Sequence, residues 1–133
     1  MPERDYSHRT LIDKLNVKEG ARVLALGIGD AALLGEIRLR TANFRDAAPR
    51  SGEFDVILLP VENIGDLGRI EKCRPLLAVA GGLWVVYPKG RKDITEKQMR
   101  DAGLAAGLVD NKVVSFSATH TGLRFVVRKA DRS

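Results

Sequence analysis

The sequence predicts an α/β fold: a three-layer sandwich whose mostly parallel sheet of about six strands ends in an antiparallel C-terminal hairpin. Residues 22–26 are predicted as a strand, because the apolar run that follows Arg22 suits a strand covered on both faces; a glycine turn then leads into a helical pattern. Apolar runs recur at 54–60 and 83–87, each followed by helical spacing. Strands that alternate with helices in this way favour parallel pairing.

The glycine turn arranges Gly27, Gly29 and Ala32 as G-x-G-x-x-A at a helix start. In nucleotide-binding turns the first glycine permits the bend, the second lets a ligand approach the backbone, and the third small residue allows close helix packing. A pattern this short is also typical of an ordinary strand-to-helix turn. Asp30 is expected to cap the helix, and its charge favours an amino-bearing ligand over a phosphate. We treat Gly27, Gly29 and Asp30 as candidate cofactor contacts.

The other helices and strands of the first half are predicted from helix-capping residues and from proline and glycine. A short helix is predicted at 8–15 with Ser7 as its N-cap, and a short edge strand at 39–44. Another helix should start near Gly65, and Pro75 either kinks it or begins a new turn. Gly81 and Gly82 are expected to interrupt regular secondary structure before the strand at 83–87.

The second half predicts one more crossover and then the hairpin. Thr95 and Gln98 have capping-box spacing for a helix that ends near Gly107. Residues 113–117 and 123–127 lie on either side of a polar loop that contains His120, and this arrangement indicates an antiparallel pair.

Composition favours one soluble domain over residues 1–133. The hydrophobic fraction is 44% and the charged fraction 29%, and no apolar run approaches the ~20 residues that span a bilayer. The first residues lack an apolar leader segment, and the single Cys73 has no partner for an internal disulfide. We therefore expect a cytoplasmic protein without a membrane partner.

The net charge of +5 is unevenly distributed. Residues 1–66 contain 9 Lys/Arg and 11 Asp/Glu, whereas residues 67–133 contain 13 and 6. A basic half favours anionic partners, although a solvated surface explains the same pattern. The chain has only seven Phe, Trp and Tyr residues, which leaves little to stack on bases, so nucleic acid is not the expected partner.

Further ligand contacts are predicted where parallel strands end, because ligands bind there in open α/β sheets. Asp46 has the spacing of a ribose-binding carboxylate, and it equally fits a solvated loop. Glu62 follows the strand at 54–60 and is suited to binding ligand hydroxyls, while Asn63 is expected to cap the next helix. Lys89, Arg91 and Lys92 follow the strand at 83–87 and form a candidate anion-binding loop, or else exposed charges.

The pattern supports no catalytic or metal-binding residue. Cys73 falls on the apolar face of a helix and is expected in the core. His120 is interpreted as a loop residue rather than a base, with His8 in a solvated segment. Two histidines and one cysteine without ligand spacing do not predict a metal centre.

The order of elements resembles the class I S-adenosylmethionine-dependent methyltransferase fold, which is Rossmann-like. That fold normally has two strand–helix units between its first strand and the strand matched here at 54–59, and residues 27–53 suffice for only one. A truncated methyltransferase-like topology is therefore expected. The resemblance implies S-adenosylmethionine as candidate cofactor. However, the catalytic Asp/Asn-Pro-Pro-aromatic turn of amino-directed members is replaced by Leu59-Pro60-Val61-Glu62.

Longer stretches resemble an uncharacterised bacterial domain-of-unknown-function family of small Rossmann-like proteins. The matching segments are Tyr6-Ser7, Lys14-Leu15-x-Val17-Lys18-x-Gly20-x-Arg22-Val23, Trp84-Val-x-Tyr87-Pro88-Lys89, Asp93-Ile-Thr-Glu96, Gly107-Leu-Val-Asp110-x-Lys112-Val113 and Gly122-Leu-Arg-Phe125-Val126. This resemblance implies a fold and no activity.

Three functional hypotheses follow. The leading one is a methyltransferase-like domain without methyltransferase catalysis that binds a small anionic or nucleoside-containing ligand, or a protein, at its strand ends. A minimal S-adenosylmethionine-dependent methyltransferase is the alternative, with Asp46 or Glu62 supporting the ligand. A basic nucleic-acid-binding module is the third.

Overall fold

One six-stranded sheet organises the molecule, and the computed structural model describes residues 10–131. The strands are β1 (Val23–Ala25), β2 (Phe44–Arg45), β3 (Phe54–Pro60), β4 (Leu77–Pro88), β5 (Leu108–Ser115) and β6 (His120–Val127). The helices are α1 (Leu11–Lys14), α2 (Ala31–Arg40), α3 (Gly68–Cys73) and α4 (Glu96–Ala105), with 3₁₀ turns at Ile64–Leu67, Arg74–Leu76 and Lys129–Asp131.

The strand order is β2-β1-β3-β4-β6-β5. Neighbouring strands from β2 to β4 are parallel, whereas β6 is antiparallel to both β4 and β5. The connections diverge from β1, since β2 lies on one side of it and β3 on the other. In an open sheet such a switch point opens a crevice at the carboxyl ends of the strands. The predicted mostly parallel sheet with a C-terminal hairpin is confirmed.

Alternating residues of the central strands feed two cores, one on each face of the sheet. Leu24, Ile57 and Leu83 belong to the core on the side of α3 and α4. Val23, Val56 and Trp84 belong to the core on the side of α1 and α2. These two helical layers and the sheet make the predicted three-layer sandwich.

The predicted edge strand at 39–44 is largely wrong. Helix α2 continues through Arg40, and strand pairing begins only at Phe44. Thr41 ends the helix: its N–H donates to the Ile37 carbonyl, and its buried hydroxyl donates to the Ala21 carbonyl. The apolar and polar residues that alternate over 39–44 therefore belong to a helix end rather than to a strand. Leu39 is almost fully exposed.

The prediction that Gly81 and Gly82 interrupt regular structure is also wrong. Strand β4 begins at Leu77, six residues before the predicted start at residue 83, and runs through both glycines. The ladder with β3 is irregular there: Leu77 pairs with Phe54, and Gly82 pairs with Val56. A Cβ on Gly81 would lie 2.7 Å from the Phe54 carbonyl oxygen. The glycine is needed for close backbone approach at a bulge rather than for a loop.

The remaining predictions differ mainly at element ends. Helix α1 is capped by Thr10, since its hydroxyl accepts from the Asp13 N–H; the predicted cap Ser7 and His8 lie outside the described residues. Pro75 begins a 3₁₀ turn, the second of its two predicted roles. The hairpin strands start at Leu108 and His120, before the predicted starts at residues 113 and 123. The pairing between the two strands extends beyond the apolar segments from which they were predicted.

The predicted capping box of α4 is confirmed. Thr95 accepts a hydrogen bond from the Gln98 N–H, and the Gln98 side chain accepts one from the Thr95 N–H at 2.8 Å. Within residues 10–131, no helix has the length and apolar composition needed to cross a membrane.

Candidate functional site

A cavity of about 220 Å³ opens at the carboxyl edge of the parallel strands. It is bounded by the turn after β1, the ends of β3 and β4, and the β5–β6 turn. The lining residues are Gly27, Ile28, Gly29, Asp30, Pro60, Glu62, Val86, Phe116, Ser117 and His120. Four of the five predicted cofactor contacts are thereby brought together: Gly27, Gly29, Asp30 and Glu62.

The glycine turn has two different requirements at its two glycines. Gly27 has φ +64°, a left-handed conformation that favours glycine. Gly29 has no positive φ, and a Cβ built on it would meet no other atom within 4 Å. The first glycine therefore serves the bend, while the second leaves open space beside the cavity. Ala32 is exposed, so its predicted role in close helix–strand packing is wrong.

Asp30 caps α2 as predicted. Its Oδ1 accepts a hydrogen bond from the Leu33 N–H at 3.1 Å. The residue is exposed at the cavity, so one carboxylate both satisfies a free helix donor and adds negative charge to the site.

Glu62 faces His120 across the cavity rim. Glu62 Oε2 lies 2.8 Å from His120 Nε2, and His120 Nδ1 lies 2.8 Å from Thr119 Oγ1. The His120 side chain is 26% exposed and that of Glu62 is 52% exposed. The site therefore contains an imidazole held by a carboxylate and a hydroxyl, an arrangement suited to proton transfer.

Sequence reasoning did not pair these two residues. Glu62 was a predicted ligand contact, and His120 a loop residue. The pairing that brings them together was not predicted: β6 runs antiparallel to β4, which places His120 opposite Pro88, at the carboxyl end of β4. A turn that precedes an antiparallel final strand thus lies at the same edge as the glycine turn.

Asn63 does not cap the following turn as predicted. It occupies the N-cap position of the 3₁₀ turn, but its side chain makes no capping hydrogen bond. Asp66 reaches back instead, and its Oδ2 accepts from the Glu62 N–H at 2.9 Å. This contact ties the Glu62 backbone to the turn that follows it.

A second hollow, of about 390 Å³, also has Gly27 in its lining. Apolar residues just after β1, in β3 and in the α3 region form much of its wall, with Arg69 and Lys72 beside them. Its lining is Leu26, Gly27, Ala48, Leu59, Arg69, Lys72, Cys73 and Leu76. Gly27 therefore adjoins both hollows.

Asp46 lies one residue beyond β2, at the carboxyl edge of the parallel strands, and it is exposed. It lines neither hollow, but Ala48, two residues on, lines the larger one. Its assignment as a ribose ligand remains a prediction.

The three basic residues after β4 lie outside both linings. Arg91 Nε donates to Asp93 Oδ1 at 3.0 Å, and its Nη1 donates to the Glu62 carbonyl at 3.0 Å. The hydrogen bond with Asp93 raises the pKa of Arg91 and lowers that of Asp93. Lys89 Nζ donates to Ser115 Oγ at 2.7 Å, and Lys92 is exposed. Anion binding by this loop stays a prediction.

Cys73 is buried in the core, as expected, and is unpaired. Burial raises the pKa of its thiol to about 11, against the lowering effect of Arg69. The thiolate is therefore strongly disfavoured at neutral pH, which argues against a nucleophilic role.

No protein-family model matches the sequence, and no curated protein is similar to it in sequence. Solved structures do match. A Burkholderia thailandensis 1,6-didemethyltoxoflavin-N1-methyltransferase with bound S-adenosylhomocysteine has TM-score 0.65 at 11% identity, covering 86% of this chain and 73% of its own.

Two further structures extend the likeness. An S-adenosylmethionine-dependent methyltransferase from Aquifex aeolicus has TM-score 0.62 at 14% identity, with 88% of each chain covered. The magnesium protoporphyrin IX methyltransferase of Synechocystis, with bound S-adenosylmethionine, has TM-score 0.60 at 16% identity, covering 89% of this chain and 74% of its own. The fold is that of Rossmann-like S-adenosylmethionine-dependent methyltransferases, in the truncated topology that the sequence predicts.

Proposed function

We propose that this protein binds S-adenosylmethionine at the glycine turn and transfers its methyl group to a small acceptor. The observation that supports this most is that two hollows share Gly27 in their linings. One is the size of a nucleoside-type site, and the other is a smaller cavity suited to an acceptor. A methyl donor bound across Gly27 would bring its reactive carbon to the boundary between them.

Charge supports a cationic donor. The smaller cavity is lined by the carboxylates of Asp30 and Glu62, and none of the described residues in its lining is Lys or Arg. Carboxylates attract the sulfonium and ammonium groups of S-adenosylmethionine, whereas they would repel a pyrophosphate. The larger, more apolar hollow suits the adenine ring, with Asp46 proposed as the ribose contact.

Gly29 offers a direct test of cofactor binding. A side chain there would fill the space beside the cavity without strain in the protein, so Gly29→Leu should abolish binding in a folded chain. Gly35→Leu is the matched control, because Gly35 also has open space around its Cβ and lies in α2, outside both linings.

Calorimetric titration with S-adenosylmethionine and S-adenosylhomocysteine measures this. We expect saturable binding by the wild type and by Gly35→Leu, and none by Gly29→Leu. If the wild-type chain binds neither compound, the proposed function is wrong. Binding by Gly29→Leu with unchanged affinity would remove the glycine turn from the site.

A second candidate is a domain that binds the same ligand without catalysis. The turn Leu59-Pro60-Val61-Glu62, which replaces the Asp/Asn-Pro-Pro-aromatic turn, favours it. Labelled methyl transfer to a bacterial lysate discriminates the two, since a non-catalytic domain would transfer no label. For either candidate function, we also propose that the protein belongs to the uncharacterised bacterial family and is cytoplasmic. Both of these proposals rest on the sequence.

A further inference from the structure

We infer that His120, oriented by Glu62, is the general base of this site and that the methyl acceptor is a small phenol-like hydroxyl compound. The inference rests on the proposed function and names its substrate class. Glu62 and His120 are 58 positions apart in sequence, and their side chains meet at 2.8 Å on the cavity rim.

In the neutral imidazole, the hydrogen bonds define which ring nitrogen carries the hydrogen. A carboxylate only accepts, so His120 Nε2 carries the hydrogen that is donated to Glu62. In the neutral ring Nδ1 is then an acceptor, and it receives the Thr119 hydroxyl. An acceptor hydroxyl that takes the place of Thr119 at Nδ1 would meet a free lone pair.

The backbone of this turn is held in place from within. Ser117 Oγ accepts hydrogen bonds from the N–H groups of Thr119 and His120, at 3.2 and 3.1 Å. The Phe116 N–H also donates to the His120 carbonyl at 3.0 Å. A base must be held within hydrogen-bond reach of its proton, and these contacts supply that support.

The rest of the cavity indicates the chemical class of the acceptor. Its wall is mainly apolar, formed by Ile28, Pro60, Val86 and Phe116, while Glu62 and Asp30 add negative charge. A flat, neutral ring with one hydroxyl would pack its apolar body on these side chains and direct its O–H to His120. An acceptor that arrives already anionic would face two carboxylates.

The reaction balances without a further reagent. The acceptor oxygen attacks the methyl carbon of the sulfonium, the new O–CH₃ bond forms, and the CH₃–S bond breaks with its electron pair returning to sulfur. The hydroxyl proton passes to His120 Nδ1, and the resulting imidazolium is stabilised by Glu62. Products are the aryl methyl ether and S-adenosylhomocysteine. In this proton transfer Glu62 acts through His120 and is a positioning residue.

The test measures methyl transfer from labelled S-adenosylmethionine to phenol and to 4-nitrophenol at mildly alkaline pH, where only the second is largely ionised. His120→Gln should lower kcat for phenol about 100-fold or more, within the usual range for a lost general base. For 4-nitrophenol the loss should be only a few-fold, because no proton has to be removed. Glu62→Gln should give a smaller loss that follows the same pattern.

Controls separate the base from structural effects. His8→Gln removes the chain's other imidazole and should leave both rates unchanged. S-adenosylmethionine affinity, measured by calorimetry, should be the same in wild type and His120→Gln. Nuclear magnetic resonance of ¹⁵N-labelled histidine should find His120 protonated at Nε2.

Three results would overturn the inference: equal losses for the two phenols in His120→Gln, methylation of amines or thiols with neither phenol methylated, or S-adenosylmethionine binding without transfer to either phenol. Absence of S-adenosylmethionine binding would instead overturn the proposed function itself.

Discussion

Gly103 of α4 packs directly against the ring of Phe125 in β6. A Cβ built at position 103 would overlap the Phe125 ring, which is fully buried. The helix therefore sits on the sheet at a distance that only glycine permits at this point.

Gly103→Ala should destabilise the protein although alanine is the better helix former. Overpacking a core costs about 1–3 kcal/mol, which exceeds the roughly 1 kcal/mol that alanine gains in a helix. Urea denaturation measures the difference. Gly35→Ala in α2 is the control: nothing lies within 4 Å of its Cβ, so it should raise the free energy of unfolding. A stabilised Gly103→Ala would contradict the packing described.

Gly27→Ala should lower the free energy of unfolding, and Gly29→Ala should not. Gly27 has φ +64°, where an L-residue costs about 1–2 kcal/mol, while Gly29 is outside the left-handed region. Paired thermal or urea unfolding of the two variants checks this. Equal stabilities would show that the turn does not need a left-handed residue.

Replacing Trp84 should lower the free energy of unfolding, because Trp84 connects the sheet to the segment that contains Leu15. Its indole N–H donates to the Leu15 carbonyl at 3.0 Å within the core. Trp84→Phe leaves that carbonyl without its donor and reduces packing, at a cost of about 1–3 kcal/mol from the hydrogen bond alone. Because Trp84 is the only tryptophan, its emission in the wild type should be blue-shifted and shift red on unfolding. Wild-type stability in the variant would refute the contact.

Cys73 should make stability fall at alkaline pH. Burial raises the pKa of the folded thiol from 9.0 to about 11, so the folded state holds this proton more tightly. The contribution is complete below pH 9.0 and is lost as pH rises toward 11. Two units correspond to roughly 2–3 kcal/mol.

The measurement compares wild type with Cys73→Ala from neutral pH to pH 11. The wild-type advantage should shrink over the upper part of that range. Tyr87, whose pKa burial also raises, is present in both proteins and largely cancels. A constant difference would contradict the pKa shift. In native protein the thiol should also react slowly with iodoacetamide, and rapidly in urea.

Local patterns predicted much of the fold because they depend on near neighbours. The Thr95–Gln98 capping box, the Asp30 cap and the strand at 54–60 all follow from residue types a few positions apart. The helix end at Arg40 and the bulge at Gly81 could not be predicted from near neighbours. The Thr41 hydroxyl forms a hydrogen bond with the Ala21 carbonyl, and Gly81 lies against Phe54 of a different strand.

The candidate site shows the same division. Gly27 and Gly29 were identified from spacing alone, and Glu62 from its position after a strand. The partnership of Glu62 with His120 depends on how the hairpin returns along β4, which no local pattern contains. Arg91 was predicted as an anion contact or an exposed charge; its hydrogen bond to nearby Asp93 was not predicted, and anion binding stays a prediction.

The antiparallel return of β6 also has a consequence for the order in which the site is built during synthesis. The glycine turn and Glu62 leave the ribosome early, whereas His120 follows 58 positions after Glu62. A nascent chain therefore contains the glycine turn and Glu62 before it contains His120. The full set of groups exists only once the last hairpin has closed.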